Sequence, residues 1–245
     1  MSLGVIILAA GKGKRMKSDL PKVLHEIDGR SMVSLVLDSL EPLNPRKTAV
    51  VVGNGLEQVI SHLKGKQVVF CVQMEQLGTA DAVKCAYPPF NNFEGDLLVL
   101  CGDTPLLKSE TLAKLVEHHR RRDASATVLT SIMDDPAAYG RIVRDDNDDL
   151  SRIVEFKDAD EETRNVHEVN TGTYVFKSPD IWYALEKVNN DNAQGEFYLT
   201  DAIEIFRNEG KTVAALAADN SDEVMGINTR EQLEKAEKIY KSRIS

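Results

Sequence analysis

Four short runs, at 3–9, 48–52, 67–72 and 96–101, are built almost continuously from Val, Ile, Leu and other apolar residues, and amphipathic stretches near 31–41, 55–63, 78–86 and 108–122 separate them. Successive side chains of a strand point to opposite faces, so a strand that is apolar at nearly every position has both faces covered. Such strands alternating with helices imply an α/β fold, with a parallel sheet held between helical layers. A further strand at 124–130 follows directly. With 42% hydrophobic residues, the 245-residue chain can build a real core, as one large domain or one domain with a smaller elaboration.

The character changes past 130. Asp134-Asp135-Pro136 is a break, 139–143 a short strand and 145–149 a charged turn, with further strands at 150–157 and 169–177. Residues 131–178 therefore read as a smaller sheet-rich lobe laid against the first. Helices resume at 180–189 and 200–209, and 212–217 is a last strand. Thr229 is placed to cap a closing helix at 230–243, whose high charge suits an arm that projects from the body or binds a partner.

Charge narrows the partners. With 30 Lys plus Arg against 39 Asp plus Glu, the formal net charge is -9, which argues against wrapping nucleic acid but allows a local anion site. No apolar run approaches the roughly 20 residues that cross a bilayer, so no membrane partner is expected. The N-terminal apolar run 5–10 comes before its basic residues, the reverse of a secretion signal. Cys71, Cys85 and Cys101 form no C-x-x-C pair and read as small buried groups in a reducing compartment, so a cytoplasmic location is expected.

Leu8-Ala9-Ala10-Gly11-Lys12-Gly13-Lys14-Arg15-Met16 follows the first strand. Glycines let a backbone approach a ligand closely, and backbone N–H groups with Lys14 and Arg15 suit triphosphate oxygens. From 12 to 22 there are five basic residues (Lys12, Lys14, Arg15, Lys17, Lys22) and one acid, Asp19, a local charge of +4. The dinucleotide fingerprint fails because Met16 stands where a third glycine is required, and the second strand ends without an acid. The Walker pattern fails because Arg15 follows Gly13-Lys14 and Leu8 replaces the first glycine. A different kind of phosphate loop remains. Pro21 braces the backbone before Lys22, which suits a lysine reaching a triphosphate as a point charge.

Asp103 follows a buried strand and Gly102, at the edge where ligands gather in open α/β sheets, and suits magnesium, a hard cation needing few protein groups when phosphates supply oxygens. Asn228 offers a neutral amide oxygen, although the spacing does not bring it to Asp103. The acid pairs at 134–135, 145–146 and 148–149 read as solvated turns, and His118-His119 as helix-end capping or surface groups. Glu155 and Asn170 suit sugar hydroxyls or an acetamido group, but ordinary strand-edge solvation explains them equally well.

Taken in order, these segments resemble the uridylyltransferase domain of the bacterial N-acetylglucosamine-1-phosphate uridylyltransferases. The resemblance rests on 8–16 with Leu20-Pro21-Lys22-Val23-Leu24-His25, Glu75-Gln76-Leu77-Gly78-Thr79-Ala80, Gly102-Asp103-Thr104-Pro105-Leu106-Leu107, and Tyr139-Gly140-Arg141-Ile142-Val143. It continues through Ile153-Val154-Glu155, Glu168-Val169-Asn170-Thr171-Gly172, Gly195-Glu196-Phe197-Tyr198-Leu199-Thr200-Asp201 and Gly226-Ile227-Asn228-Thr229-Arg230, covering about 3 to 230.

The resemblance implies a Rossmann-like nucleotidyltransferase fold of the nucleotide-diphospho-sugar transferase type, with a mixed central sheet and a smaller sugar-binding lobe. A nucleotidyltransferase domain would span 1–228, with 131–178 contributing much of that lobe, and 229–245 would form a helical arm. UTP would be bound by Leu8, Ala10, Gly11, Gly13, Lys22, Gln73, Gln76, Gly78 and Thr79, with Arg15 and Lys22 acting on the phosphates. Gly140, Glu155, Asn170 and Thr171 would hold N-acetylglucosamine 1-phosphate, and Asp103 and Asn228 would ligate Mg2+. The implied products are UDP-N-acetylglucosamine, used in peptidoglycan and lipopolysaccharide synthesis, and pyrophosphate. Bifunctional members continue into a β-helical acetyltransferase domain, and a homo-oligomer is the stronger expectation where that domain follows. Two departures bear on sugar choice: Cys101 stands where tyrosine is common, and Phe156 where a polar residue is frequent. They leave open the same chemistry on glucose 1-phosphate with UTP or dTTP; a sugar-nucleotide sensor without turnover is a separate alternative of a different class.

Overall fold

The computed structural model describes residues 1–244. Its strands are β1 (Ser2–Ala9), β2 (Glu26–Ile27), β3 (Arg30–Ser31), β4 (Lys47–Val52), β5 (Val69–Val72), β6 (Gly95–Cys101), β7 (Ala126–Ile132), β8 (Arg141–Arg144), β9 (Leu150–Val154), β10 (Glu168–Lys177) and β11 (Val213–Ala217). The α-helices are α1 (Met32–Leu40), α2 (Leu56–His62), α3 (Thr79–Cys85), α4 (Tyr87–Phe90), α5 (Ser109–Arg121), α6 (Glu161–Arg164), α7 (Ser178–Lys187), α8 (Asp201–Asn208) and α9 (Arg230–Ile244). None of these helices is long and apolar enough to cross a membrane.

The main sheet runs β11-β7-β10-β6-β1-β4-β5. β6, β1, β4 and β5 are parallel, and β11 is parallel to β7, but β10 enters antiparallel to both β6 and β7. The sheet is therefore mixed. Alternate residues of one strand feed different cores: Ile6 packs on one face with α3, α7 and α8, while Val5 and Ile7 pack on the other with α1, α2 and α5. Burial on both faces is the physical reason for the continuous apolar runs of β1, β4 and β6, whereas β5, at the edge of the sheet, leaves Val69 and Val72 exposed.

β10 belongs to two places at once. Its register against β7 shifts between Asn170 and Thr173, where Gly172 takes a left-handed φ of 77°. The bulge bends the strand. Residues before it carry the β8–β9 hairpin through the pairing of Val169 with Arg141, and residues after it complete the main sheet.

Three sequence expectations change in contact with the structure. The strand expected at 150–157 ends at Val154, which leaves Glu155 in the following turn. His119 is no surface group: it is buried, its Nδ1 lies 2.9 Å from Thr127 Oγ1, and its ring faces Asp96. The closing helix α9 does not stand free, because Ala236 is buried among Ile27, Met32, Leu35, Leu106 and Ile227, with Leu233, Ile239 and Tyr240 packed alongside.

Candidate active site

Adjacent parallel strands β1 and β6 release their chains at the same edge, and Gly102 N–H donates to Leu8 O at 2.9 Å. The basic loop leaves β1 there and the segment carrying Asp103 leaves β6. Gly13 adopts a φ of 56°, and a Cβ at that position would stand 2.7 Å from Lys22 Cβ. The loop is thus pressed against the backbone that carries Lys22, which a short helical turn (Lys22–Leu24) follows directly after Pro21.

The Lys22 ammonium forms an ion pair with the Asp103 carboxylate and donates to Asn228 Oδ1 at 3.0 Å. Arg15 Nη2 donates to the same amide oxygen at 2.8 Å. Asn228 arrives because Ile227 N–H donates to Asp103 O at 2.9 Å, a link across more than a hundred residues of sequence. Its own loop is held by Gln232 Oε1, which accepts from the N–H groups of Asn228 at 2.7 Å and Thr229 at 3.1 Å. Four of the residues singled out in the sequence therefore meet around one point.

Beside them is a cleft of about 250 Å³, lined among others by Leu8, Ala10, Gly11, Lys22, Gln73, Gln76, Gly78, Thr79, Cys101 and Asp103. Gly78 sits at φ 131°, and any Cβ there would collide with Phe197 O at 2.3 Å. The Thr79 hydroxyl accepts from Leu199 N–H at 2.9 Å, so it braces the facing segment. Gly13 is not among the residues lining this cleft and stands instead against Lys22, while Arg15 reaches the centre through Asn228.

The four expected sugar residues gather around the β10 bulge and the hairpin lobe. Gly140 O accepts from Asn170 N–H at 2.9 Å, and a Cβ on Gly140 would lie 3.5 Å from the Glu155 carboxylate. Burial pushes the Glu155 pKa up, a hydrogen bond from the Thr200 hydroxyl at 3.4 Å opposes that, and Asp201, Asp158 and Glu196 add to the rise. Asn170 Oδ1 accepts from Gly172 N–H at 3.0 Å, which stabilises the bulge, while the Thr171 hydroxyl turns into the sheet and donates to Leu129 O at 2.7 Å. Glu155 also lines a separate acidic cleft of about 510 Å³ with Asp158, Tyr198 and Asp201. Cys101 lies within 3.6 Å of Gly172 O, and burial, reinforced by Asp103, pushes its thiol up to about 12.

Two contributors escaped the sequence reading. The half-buried Tyr139 hydroxyl accepts from Gly226 N–H at 3.1 Å, tying the loop before Gly140 to the loop before Asn228. A single tyrosine in a polar loop has no periodicity that would announce this. Arg230 Nε donates to Met16 O at 3.3 Å, so the first residue of α9 anchors the basic loop. A cation at a helix N-terminus opposes the helix dipole, and that was the available signal.

Among the described residues no group of three or more His, Cys, Asp or Glu side chains is arranged to hold a metal. A cation at the centre would rest on two protein oxygens, Asp103 Oδ2 and Asn228 Oδ1, which already share one cationic partner in Lys22. Two hard oxygen donors on one side and an open cleft on the other fit a magnesium site completed by ligand and water oxygens.

The chain is 52% identical over 239 residues to the bifunctional protein GlmU of Geobacillus thermodenitrificans, across 98% of this chain and 52% of that protein. It is 48% identical over 240 residues to the bifunctional protein GlmU of Bacillus subtilis, with the same two coverages. The chain thus spans about half the length of the curated relatives it matches. In fold, it superposes with a TM-score of 0.76 on a Bacillus anthracis crystal structure assigned as a glucose-1-phosphate thymidylyltransferase in complex with sucrose, at 22% identity, over 97% of this chain and 95% of that one. Residues 5–196 match the family model of the MobA-like NTP transferase domain, and the chain belongs to that family.

Proposed function

We propose that this chain transfers the uridylyl group of UTP to N-acetylglucosamine 1-phosphate, forming UDP-N-acetylglucosamine and pyrophosphate. The observation that carries the reading is the meeting of Arg15, Lys22, Asp103 and Asn228 at the mouth of a glycine-lined cleft. The high identity to proteins named bifunctional protein GlmU supports it.

The attacking atom is a phosphate oxygen of the sugar phosphate, already anionic near neutral pH, so no general base is needed. It forms a bond to the α-phosphorus of UTP as the bond to the β-phosphate oxygen breaks and pyrophosphate leaves. The chain's task is to bring two anions together in line. Gly11 and the backbone around it leave room for the phosphate chain, and nothing lies within 4 Å of where a Gly11 Cβ would be. Lys22 and Arg15 stabilise charge on the α-phosphate and the departing pyrophosphate, as fixed donors aimed where charge develops. Asp103 and Asn228 would hold Mg2+, which when bound neutralises phosphate charge. Asn170, Gly140 and Glu155 orient the aminosugar from the lobe side.

The test is product analysis with purified chain across UTP, dTTP and CTP, each with N-acetylglucosamine 1-phosphate and glucose 1-phosphate, with and without magnesium. UDP-N-acetylglucosamine and pyrophosphate in equal amounts are expected with the first pair. Preference for glucose 1-phosphate would assign Cys101 a different sugar, and binding without product under magnesium would refute the transferase reading.

A further inference from the structure

Gln73 is the most enclosed polar side chain of the cleft, only 3% exposed, and its amide is held from behind. Its Nε2 lies 2.7 Å from Asp81 Oδ2 and 3.1 Å from Gly78 O. A carboxamide has one end that donates twice and one that only accepts. Both neighbours of Nε2 are pure acceptors, a carboxylate and a backbone carbonyl. Turning the amide over would set Gln73 Oε1 against both of them and waste its two N–H groups. The orientation is therefore dictated, and Oε1 is the end left for a ligand. No donor among the described residues reaches it.

We infer that Asp81 sets the base preference of this site, by locking the Gln73 carboxamide so that an acceptor faces the bound nucleotide and selects a pyrimidine that carries N3–H. The inference rests on the nucleotide reading of the cleft. Uracil and thymine have a donor at N3, whereas cytosine has a lone pair there. A fixed acceptor opposite N3 welcomes the first two and repels the third. A site built around a hydrogen bond discriminates because the wrong partner leaves a buried polar group unpaired. Asp81 lines no part of the cleft, so it acts through Gln73 as a positioning residue.

A purely structural role is the competing account, because Asp81 lies in the first turn of α3, where a carboxylate favours the positive end of the helix. That role would move stability and leave base choice alone. The experiment measures kcat and KM with UTP and CTP for the parent, Asp81→Ala and Asp81→Asn, alongside calorimetric titration with UDP and CDP and a thermal melt. In Asp81→Ala only the longer bond to Gly78 O still holds Gln73 Nε2, so the flipped amide becomes accessible, and the UTP-to-CTP ratio of kcat/KM should fall about tenfold, mainly through a higher KM for UTP. Asp81→Asn can still present an oxygen to Gln73 Nε2 and should restore most of the ratio. Calorimetry should show the same loss of preference for UDP over CDP. A parent that turns over UTP, combined with an unchanged ratio in Asp81→Ala, overturns the inference while leaving the transferase reading intact. A lowered melting temperature with an unchanged ratio overturns it too. A parent that consumes no nucleoside triphosphate and binds neither UDP nor CDP instead removes the reading on which it rests.

Discussion

Replacing Gly13 by alanine tests whether the basic loop and Lys22 work as one unit. Two costs follow from the structure. Gly13 sits at φ 56°, a left-handed conformation that costs a residue with a side chain roughly 1–2 kcal/mol. The added Cβ would also lie 2.7 Å from Lys22 Cβ, where ordinary contact begins at 3.4 Å. Either the loop or the lysine must therefore retreat by about 0.7 Å, on a scale where a 1 Å misplacement costs about a hundredfold in rate. The expected result is a loss of about 10- to 100-fold in kcat/KM for pyrophosphate release. Melting temperature should fall by only about 2–4 °C for each kcal/mol, given a chain of this size. A Gly13→Ala variant that melts as expected yet keeps kcat/KM within about twofold of the parent would refute the coupling argued from these distances. Gly11→Ala is the internal control, because its Cβ would meet nothing within 4 Å and its backbone needs no left-handed φ. Its melting temperature should not move, and any loss of turnover then reports a ligand against that backbone.

Asp103→Ala should cut magnesium-dependent turnover by at least about a hundredfold while the chain stays folded, and titration with Mn2+ should show the same loss of metal affinity. Near-normal magnesium-dependent kinetics would contradict the assignment. Asn170→Ala should raise KM for the sugar phosphate about tenfold and leave UTP binding close to the parent, as losing one well-placed hydrogen bond implies; selective loss of UTP binding would reverse the two pockets. Asp201→Asn carries a pH prediction. Burial, with Glu204 and Asp158 adding to it, pushes the Asp201 carboxyl up to about 6. Its ionised form is the one the folded state disfavours, so the cost is absent below the ordinary aspartate range and complete above about 6. Asparagine should therefore stabilise the chain at pH 7.5 by about 1 kcal/mol after allowing for solvent screening, or about 2–4 °C, and by much less at pH 4. An equal gain at both values would show that the carboxylate is not the cause.

Local regularity was readable wherever one physical rule dominated. The doubly apolar runs at β1, β4 and β6 needed no other information, because only a sheet covered on both faces makes such runs favourable. Glycines next to basic residues after β1 pointed to an anion, because few other arrangements concentrate so much positive charge in an acidic chain. The direction of β10 was not readable in the same way: a buried antiparallel strand in the centre of a sheet is as apolar as a parallel one. His119 was misread because a histidine after a helical run looks alike whether it ends in water or against Thr127.

By itself, the amino-acid order determined the layered α/β architecture, the concentration of positive charge in the glycine-rich first loop and the placement of Asp103 at a strand's end, since each depends on neighbours within a few residues. Only the tertiary structure decided that Asn228 stands beside Lys22, that Tyr139 joins two distant loops, and that the Gln73 amide donates to the Asp81 carboxylate. Those are pairings across long stretches of chain or between directional groups, and a hydrogen bond depends on an orientation that composition and periodicity do not record.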